Sequence, residues 1–302
     1  MEQPTGRYPG VFPAMSTPLT AEREIDHAGI KKVVGYLFDN GVNGLSLLGS
    51  TGECSALRRE QRKEVLSVAL EAGGDRGTIF TGASGSVVAD VIADLKSIDG
   101  MGAKGALVPP PFYYPLNDEG VVSYYERVAE ASPVPIILYH IPRITKVPIS
   151  PAAVARLIAH PNIIGLKDSS GDFGNYSEIV RLANQTTGFT VYTGSDALLA
   201  ASLFVGGHGI IGAGVNIVPD VVVGVYRAAM SGDRATAIAL QHKVADAVAA
   251  CRVGNFPAAY KAQFALKGLC EPYMAWPIPV VNDAEMRELR ANLVEAGVLS
   301  AE

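Results

Sequence analysis

The chain's 302 residues suffice for one large α/β barrel or for two ordinary domains. A net charge of −5, with charged residues at 18% and no basic block, argues against nucleic acid and anionic membranes as partners and leaves small acidic metabolites open. The start, "MEQPTGRYPG", has neither a basic segment nor an apolar stretch, so no secretory signal or transit peptide is expected and the reading is cytoplasmic.

In chain order, eight short apolar runs read as strands: "GVFPAMSTPL", "GLSLLGS", "TIFTGAS", "KGALVPP", "PIILYHIP", "NIIGLKDS", "FTVYTGSD" and "GIIGAG". Amphipathic stretches lie between them, predicting helices over 26–40, 58–72, 87–98, 117–131, 151–159 and 176–184. Ser150-Pro151 reads as an N-cap followed by proline at the first helical position, and Asn117 precedes an acidic first turn. Strand starts near 78, 105, 135, 163 and 189 recur at about the length of one βα unit, which predicts a (β/α)8 TIM barrel. The structural rival is a doubly wound sheet. It lacks support because no Gly-x-Gly-x-x-Gly opens a helix after the first strand and the units do not stop at five or six.

The most apolar tract, "GIIGAGVNIVPDVVVGVY", is broken by Asn216, Pro219 and Asp220 and reads as buried structure, not a membrane span. After Met230 the pattern is helical only, over 233–251, 257–269 and 283–296. The expected organisation is a catalytic barrel over 1–230 and a carboxy-terminal helical appendage over 231–302, packed on it. Cys54, Cys251 and Cys270 are read as buried thiols, since three scattered cysteines make no disulfide framework. Five histidines without ligand spacing leave a metal site unsupported, so no metal is expected.

In such barrels chemistry sits at the carboxyl ends of the strands. Alternation along "NIIGLK" puts Ile163, Gly165 and Lys167 on one face, and along "PIILYH" puts Pro135, Ile137 and Tyr139 together. Lys167 and Tyr139 therefore end neighbouring strands one βα unit apart, and both can point into the same mouth. An amine walled in by apolar groups is more readily neutral, able to attack a carbonyl and form a Schiff base, with a tyrosine alongside as proton relay and no external cofactor. The plainer alternative makes Lys167 a rim lysine paired with Asp168 and Tyr139 a core aromatic. The turn "GSTGE" offers N–H groups and the hydroxyls of Ser50 and Thr51 as an anion site. "PPPFYYPLNDEG" is a stiff aromatic loop, read as a lid or interface, and "GGHGIIGAGVN" leaves room for a ligand.

Taken together, "GSTGE" at 49–53, "PFYYP" at 111–115, "YHIP" at 139–142, "GLKDSSGD" at 165–172 and "GSD" at 194–196 resemble the pyruvate-dependent class I aldolase family. That family contains dihydrodipicolinate synthase, N-acetylneuraminate lyase and 2-keto-3-deoxy sugar acid aldolases. The resemblance covers nearly the whole chain. It implies that Lys167 forms the Schiff base with pyruvate or another 2-oxo acid, and that Tyr139 passes protons with Ser50 or Thr51. Thr51 and nearby N–H groups would hold the carboxylate. Gly194 and Asp196 would line the substrate site, and the backbone carbonyl of Ile211 would face the lysine. Tyr113 would complete the relay of an adjacent subunit in a homotetramer built as a dimer of dimers.

Departures from the family pattern bear on the second substrate. Ser50-Thr51 stands where synthases carry two threonines, and Ile144 stands where they carry an arginine, with Arg143 one residue early. Ala197 stands where the sialic acid enzyme has an acidic sugar contact. "GLKDSSGD" with "GSD" most resembles aldolases and dehydratases of 2-keto-3-deoxy sugar acids, and the first reading is a lyase of those acids. Condensation with aspartate semialdehyde and sialic acid cleavage are the enzymatic alternatives, and an anion-binding barrel without catalysis is the non-enzymatic one.

Overall fold

In the computed structural model, which describes residues 6–301, eight parallel strands alternate with helices around a closed barrel. The first five residues of the amino-terminal stretch lie outside those described. The strands are β1 (Gly10–Pro13), β2 (Gly44–Ser46), β3 (Thr78–Gly82), β4 (Gly105–Val108), β5 (Ile136–His140), β6 (Ile163–Asp168), β7 (Thr190–Thr193) and β8 (Gly209–Gly212). Each pairs with its sequence neighbours, and β1 also pairs with β8. The β1–β2 seam has a single bridge, Ala14 to Ser46, flanked by backbone hydrogen bonds from Asn43 to Val11 and from Met15 to Ser46, each 3.0 Å.

Around the strands run α1 (His27–Asp39), α2 (Arg59–Gly73), α3 (Val88–Ser97), α4 (Asp118–Ala131), α5 (Pro142–Thr145), α6 (Pro151–Leu157), α7 (Phe173–Ala183), α8 (Leu199–Phe204) and α9 (Pro219–Ser231). Capping residues start several of them where the sequence places polar caps. Asp26 accepts from Gly29 N–H at 2.9 Å, Asn117 from Gly120 at 3.0 Å and Ser150 from Ala153 at 3.1 Å. Each such cap stabilises its helix by about 1 kcal/mol. Helix α7 begins three residues before the expected 176, because Asp172, the last residue of "GLKDSSGD", caps it through Asn175 N–H.

Beyond the barrel lie α10 (Arg234–Ala250), α11 (Ala258–Leu266) and α12 (Asp283–Glu295). Ala237, Val244, Phe264 and Ala275 from this region join the apolar core between strands and outer helices, so it packs on the barrel. No helix among the described residues is long and apolar enough to cross a membrane. Cys54 and Cys251 are buried as expected, but Cys270, just beyond α11, is only half-buried.

The barrel interior is aromatic at its floor. Phe12 and Phe80 lie 5.0 Å apart by ring centroids, and Tyr192 meets Phe12 edge-on at 5.6 Å. Burying side chains of this size contributes about 1.5–3 kcal/mol each and leaves the reactive groups a rigid base. On β6 the structure departs from simple alternation. The pairing with β5 slips one residue at Ile136/Ile137, so that Ile164, not Ile163, joins the interior cluster while Lys167 keeps its inward direction. Gly165 makes this possible, since a side chain there would run into the Thr190 carbonyl.

Candidate active site

Lys167 and Tyr139 are register partners at the carboxyl ends of β6 and β5. The Lys167 Nζ lies 3.3 Å from Tyr139 Oη and 4.4 Å from the centre of its ring. Lys167 is 3% exposed. No carboxylate among the described residues comes within ion-pairing distance of it. The adjacent Asp168 points out of the barrel to His140 Nδ1 at 3.1 Å and accepts from Ser170 N–H and hydroxyl at 2.7 and 2.6 Å. The plainer reading, a rim lysine paired with Asp168, is therefore overturned. Despite its burial, the Asp168 carboxyl lies below the usual aspartate value, because His140 and Ser170 favour its charged form.

Ser50 extends the chain of polar atoms, its Oγ 3.4 Å from Tyr139 Oη. Burial pushes the Tyr139 phenol up, but the charge of Lys167 and hydrogen bonds from Ser50, Lys167 and Ser169 outweigh it, leaving the phenol below its ordinary 10.0. Thr51 is buried beside Ser50. Among the described residues, neither the Ser50 nor the Thr51 N–H donates to a protein acceptor, so two backbone donors remain free at this turn.

These residues open on a cavity of about 600 Å³ lined by Ser50, Thr51, Tyr139, Lys167, Gly194 and Asp196. A side chain at Gly194 would press on the Lys167 Cε at 2.8 Å, so a glycine there leaves the amine its path. Burial lifts the Asp196 carboxyl to about 6, opposed by a hydrogen bond from Gly214 N–H and the charge of Lys167. Ile211 packs in the barrel interior with Phe12 and Tyr192 and does not line the cavity.

Two residues singled out from the sequence, Tyr113 and Arg143, lie on different parts of this site. Tyr113 is 82% exposed on its loop, with φ at 95°, and does not join the lysine and Tyr139 of its own chain. Arg143 does reach the large cavity, while Ile144 faces a separate, apolar one of about 260 Å³ that shares Ser50, Tyr139 and Ile141 with it. Successive residues of the short helix α5 point in different directions, so the guanidinium is present one position early. Arg252 and Asn255, from the loop joining α10 to α11, line the same cavity. Sequence reading missed them because nothing local tells where that loop docks. Among the described residues no group of three or more His, Cys, Asp or Glu is placed to hold a metal ion.

The comparisons with known proteins agree with this geometry. Residues 7–296 match the profile of the Dihydrodipicolinate synthetase family. The chain is 31% identical to the 4-hydroxy-tetrahydrodipicolinate synthase of Methanoculleus marisnigri, over 96% of this chain and 100% of that one. It is 32% identical to a DapA-like lyase of Halobacterium salinarum, over 96% and 94%. A crystal structure of dihydrodipicolinate synthase from Thermotoga maritima superposes with a TM-score of 0.92 at 28% identity, covering 97% of this chain and 100% of that one. YagE, an E. coli K12 prophage protein solved in complex with pyruvate, superposes at 0.90 with 27% identity over 97% and 99%. The eight-stranded barrel, the lysine and tyrosine paired at its mouth and a profile match spanning nearly the whole chain lead to one assignment: this chain belongs to the dihydrodipicolinate synthase family.

Proposed function

We propose that the chain is a pyruvate-dependent lyase that works through a Schiff base on Lys167, without an external cofactor. The observation that carries this reading is a buried lysine with no carboxylate of the described residues within ion-pairing distance, hydrogen-bonded to a phenol and opening on a cavity. The amine adds to the 2-oxo carbonyl, and loss of water gives an iminium. As the bond between the α and β carbons breaks, its electron pair moves into the iminium to leave an enamine, and the β-hydroxyl gives its proton to Tyr139 and its carbon departs as an aldehyde; run backwards, the same steps condense. Tyr139 carries protons between substrate and Ser50, for which its favoured ionisation suits it. The free N–H groups and hydroxyls of Ser50 and Thr51 receive the substrate carboxylate. Gly194 and Asp196 border the bound substrate.

For the other reactant, the first reading is a 2-keto-3-deoxy sugar acid, cleaved or dehydrated. The hydroxyls of Ser169 and Ser195 along the cavity suit a polyhydroxylated chain. Arg143 in the cavity favours a second reading, condensation with aspartate semialdehyde, as the names of the archaeal relatives suggest. Tyr113 is assigned to the relay of a neighbouring subunit in a homotetramer, cytoplasmic in location. The apolar opening beside Ser50 and Tyr139 offers such a side chain a way in.

Incubation with pyruvate and borohydride, followed by intact mass measurement, tests the reading. A pyruvate-sized adduct that disappears in Lys167→Ala is expected. No adduct, or one retained by the variant, overturns it. Pyruvate release from several 2-keto-3-deoxy acids, set against turnover of aspartate semialdehyde, ranks the two substrates.

A further inference from the structure

The turn carrying Ser50 and Thr51 ends at Glu53, whose backbone, at φ 60° and ψ 28°, occupies the left-handed region. A residue with a side chain enters that region at a cost that glycine escapes. The side chain supplies the reason for a glutamate here. Its carboxylate is fully buried, and Oε1 lies 2.5 Å from the equally buried Lys261 Nζ. Oε2 accepts from Ala275 N–H at 2.7 Å, and Lys261 also donates to the Tyr273 carbonyl at 2.6 Å. All of these partners come from the carboxy-terminal region, Lys261 from α11 and the other two from the segment that follows it.

A buried ion pair is a poor source of stability, because desolvation offsets most of the attraction; apolar residues of the same volume hold a core as well. What an apolar pair lacks is direction. Here the carboxylate is fixed between one ammonium and one N–H, and the Glu53 N–H donates to Ser50 O at 3.3 Å. The backbone of the turn is thereby tied to that fixed point. Burial draws the Lys261 amine below the usual lysine range, and the Glu53 carboxylate beside it pulls it back.

We propose that Glu53 and Lys261 are positioning residues: their ion pair clamps the Ser50–Thr51 turn to α11, so that the carboxy-terminal region sets where the oxo-acid carboxylate binds. This rests on the reading that the turn receives that carboxylate. Arg252 and Asn255 give the same region a second hold on the cavity.

The test uses the full chain as wild type, Glu53→Gln, Lys261→Met and the double variant. Borohydride-trapped adduct is measured against pyruvate concentration, alongside Tm. The single variants should lower Tm and raise half-saturating pyruvate at least tenfold, with a smaller change in the maximal trapping rate. The double variant, with no orphaned charge, should recover Tm but not the affinity for pyruvate. Glu53→Asp keeps the charge, shortens its reach and should show the same loss of affinity if the other variants do not fold. A double variant or Glu53→Asp with wild-type half-saturation overturns the proposal. Absence of any wild-type adduct overturns instead the lyase reading, and the positioning role with it.

Discussion

The phenol of Tyr139 and the amine of Lys167 face each other across one strand pairing, 3.3 Å apart, in a part of the barrel where no carboxylate among the described residues comes within ion-pairing distance of the lysine. Two adjacent strands of one sheet hold them, so their separation is fixed by backbone pairing and not by loop conformation.

Tyr139→Phe keeps the ring in the interior cluster and removes only the hydroxyl. Turnover should fall by about a hundredfold or more, the usual contribution of a positioned proton relay. Borohydride trapping after long incubation with pyruvate should still yield the adduct, because the nucleophile is intact.

Lys167→Met should abolish the adduct and also raise the melting temperature. The variant replaces a buried nitrogen that no described carboxylate approaches to ion-pairing distance by a side chain of similar length that belongs in an apolar wall. Lys167→Arg should be equally inactive, since a guanidinium stays protonated and cannot add to a carbonyl. Calorimetry and intact mass together check this opposition of stability and activity.

Asp196 sets a pH dependence of stability. Its carboxyl, raised from 3.8 to about 6, holds its proton more tightly in the folded chain than in the unfolded one. Stability therefore declines as pH rises from about 4 to about 6 and stays lower above that. Asp196→Asn removes the decline, so urea unfolding should find the variant more stable at pH 7, on the order of 2 kcal/mol, with the two curves converging near pH 3.5.

Arg143→Ala should discriminate between the two proposed second reactants. For an aldehyde bearing a carboxylate, KM should rise about ten- to a hundredfold, the worth of a charge-assisted hydrogen bond, with KM for pyruvate unchanged. For a neutral sugar chain the change should stay within about threefold. Initial rates at fixed saturating pyruvate make the measurement.

The strands were legible because each is an apolar run between turn residues, and both signals are local. The 26–40 reading agrees with α1 at His27–Asp39 to within a residue at each end, Asp26 being its cap. Helices α5 and α8, of four and six residues, are too short to show a period. Helix α9 is apolar on most sides, so its tract revealed burial but not an element. The inward placing of Ile163 failed because a slip in strand pairing depends on the partner strand. Lys167 and Tyr139 were readable as strand ends. Glu53 and Lys261 were not, being more than two hundred residues apart; the one local trace is a lysine amid the apolar "AAYKAQFAL" of α11.

The single bridge joining β1 to β2 makes that seam the most sparsely laced of the eight. Where fewer bonds must break, local opening is cheapest, and amide protons there should exchange with deuterium before those of the β5–β6 pairing with its five matched residues. The cylinder therefore has a soft side and a stiff side: the amine and phenol stand on the stiff one, while the anion-holding turn grows from the soft one.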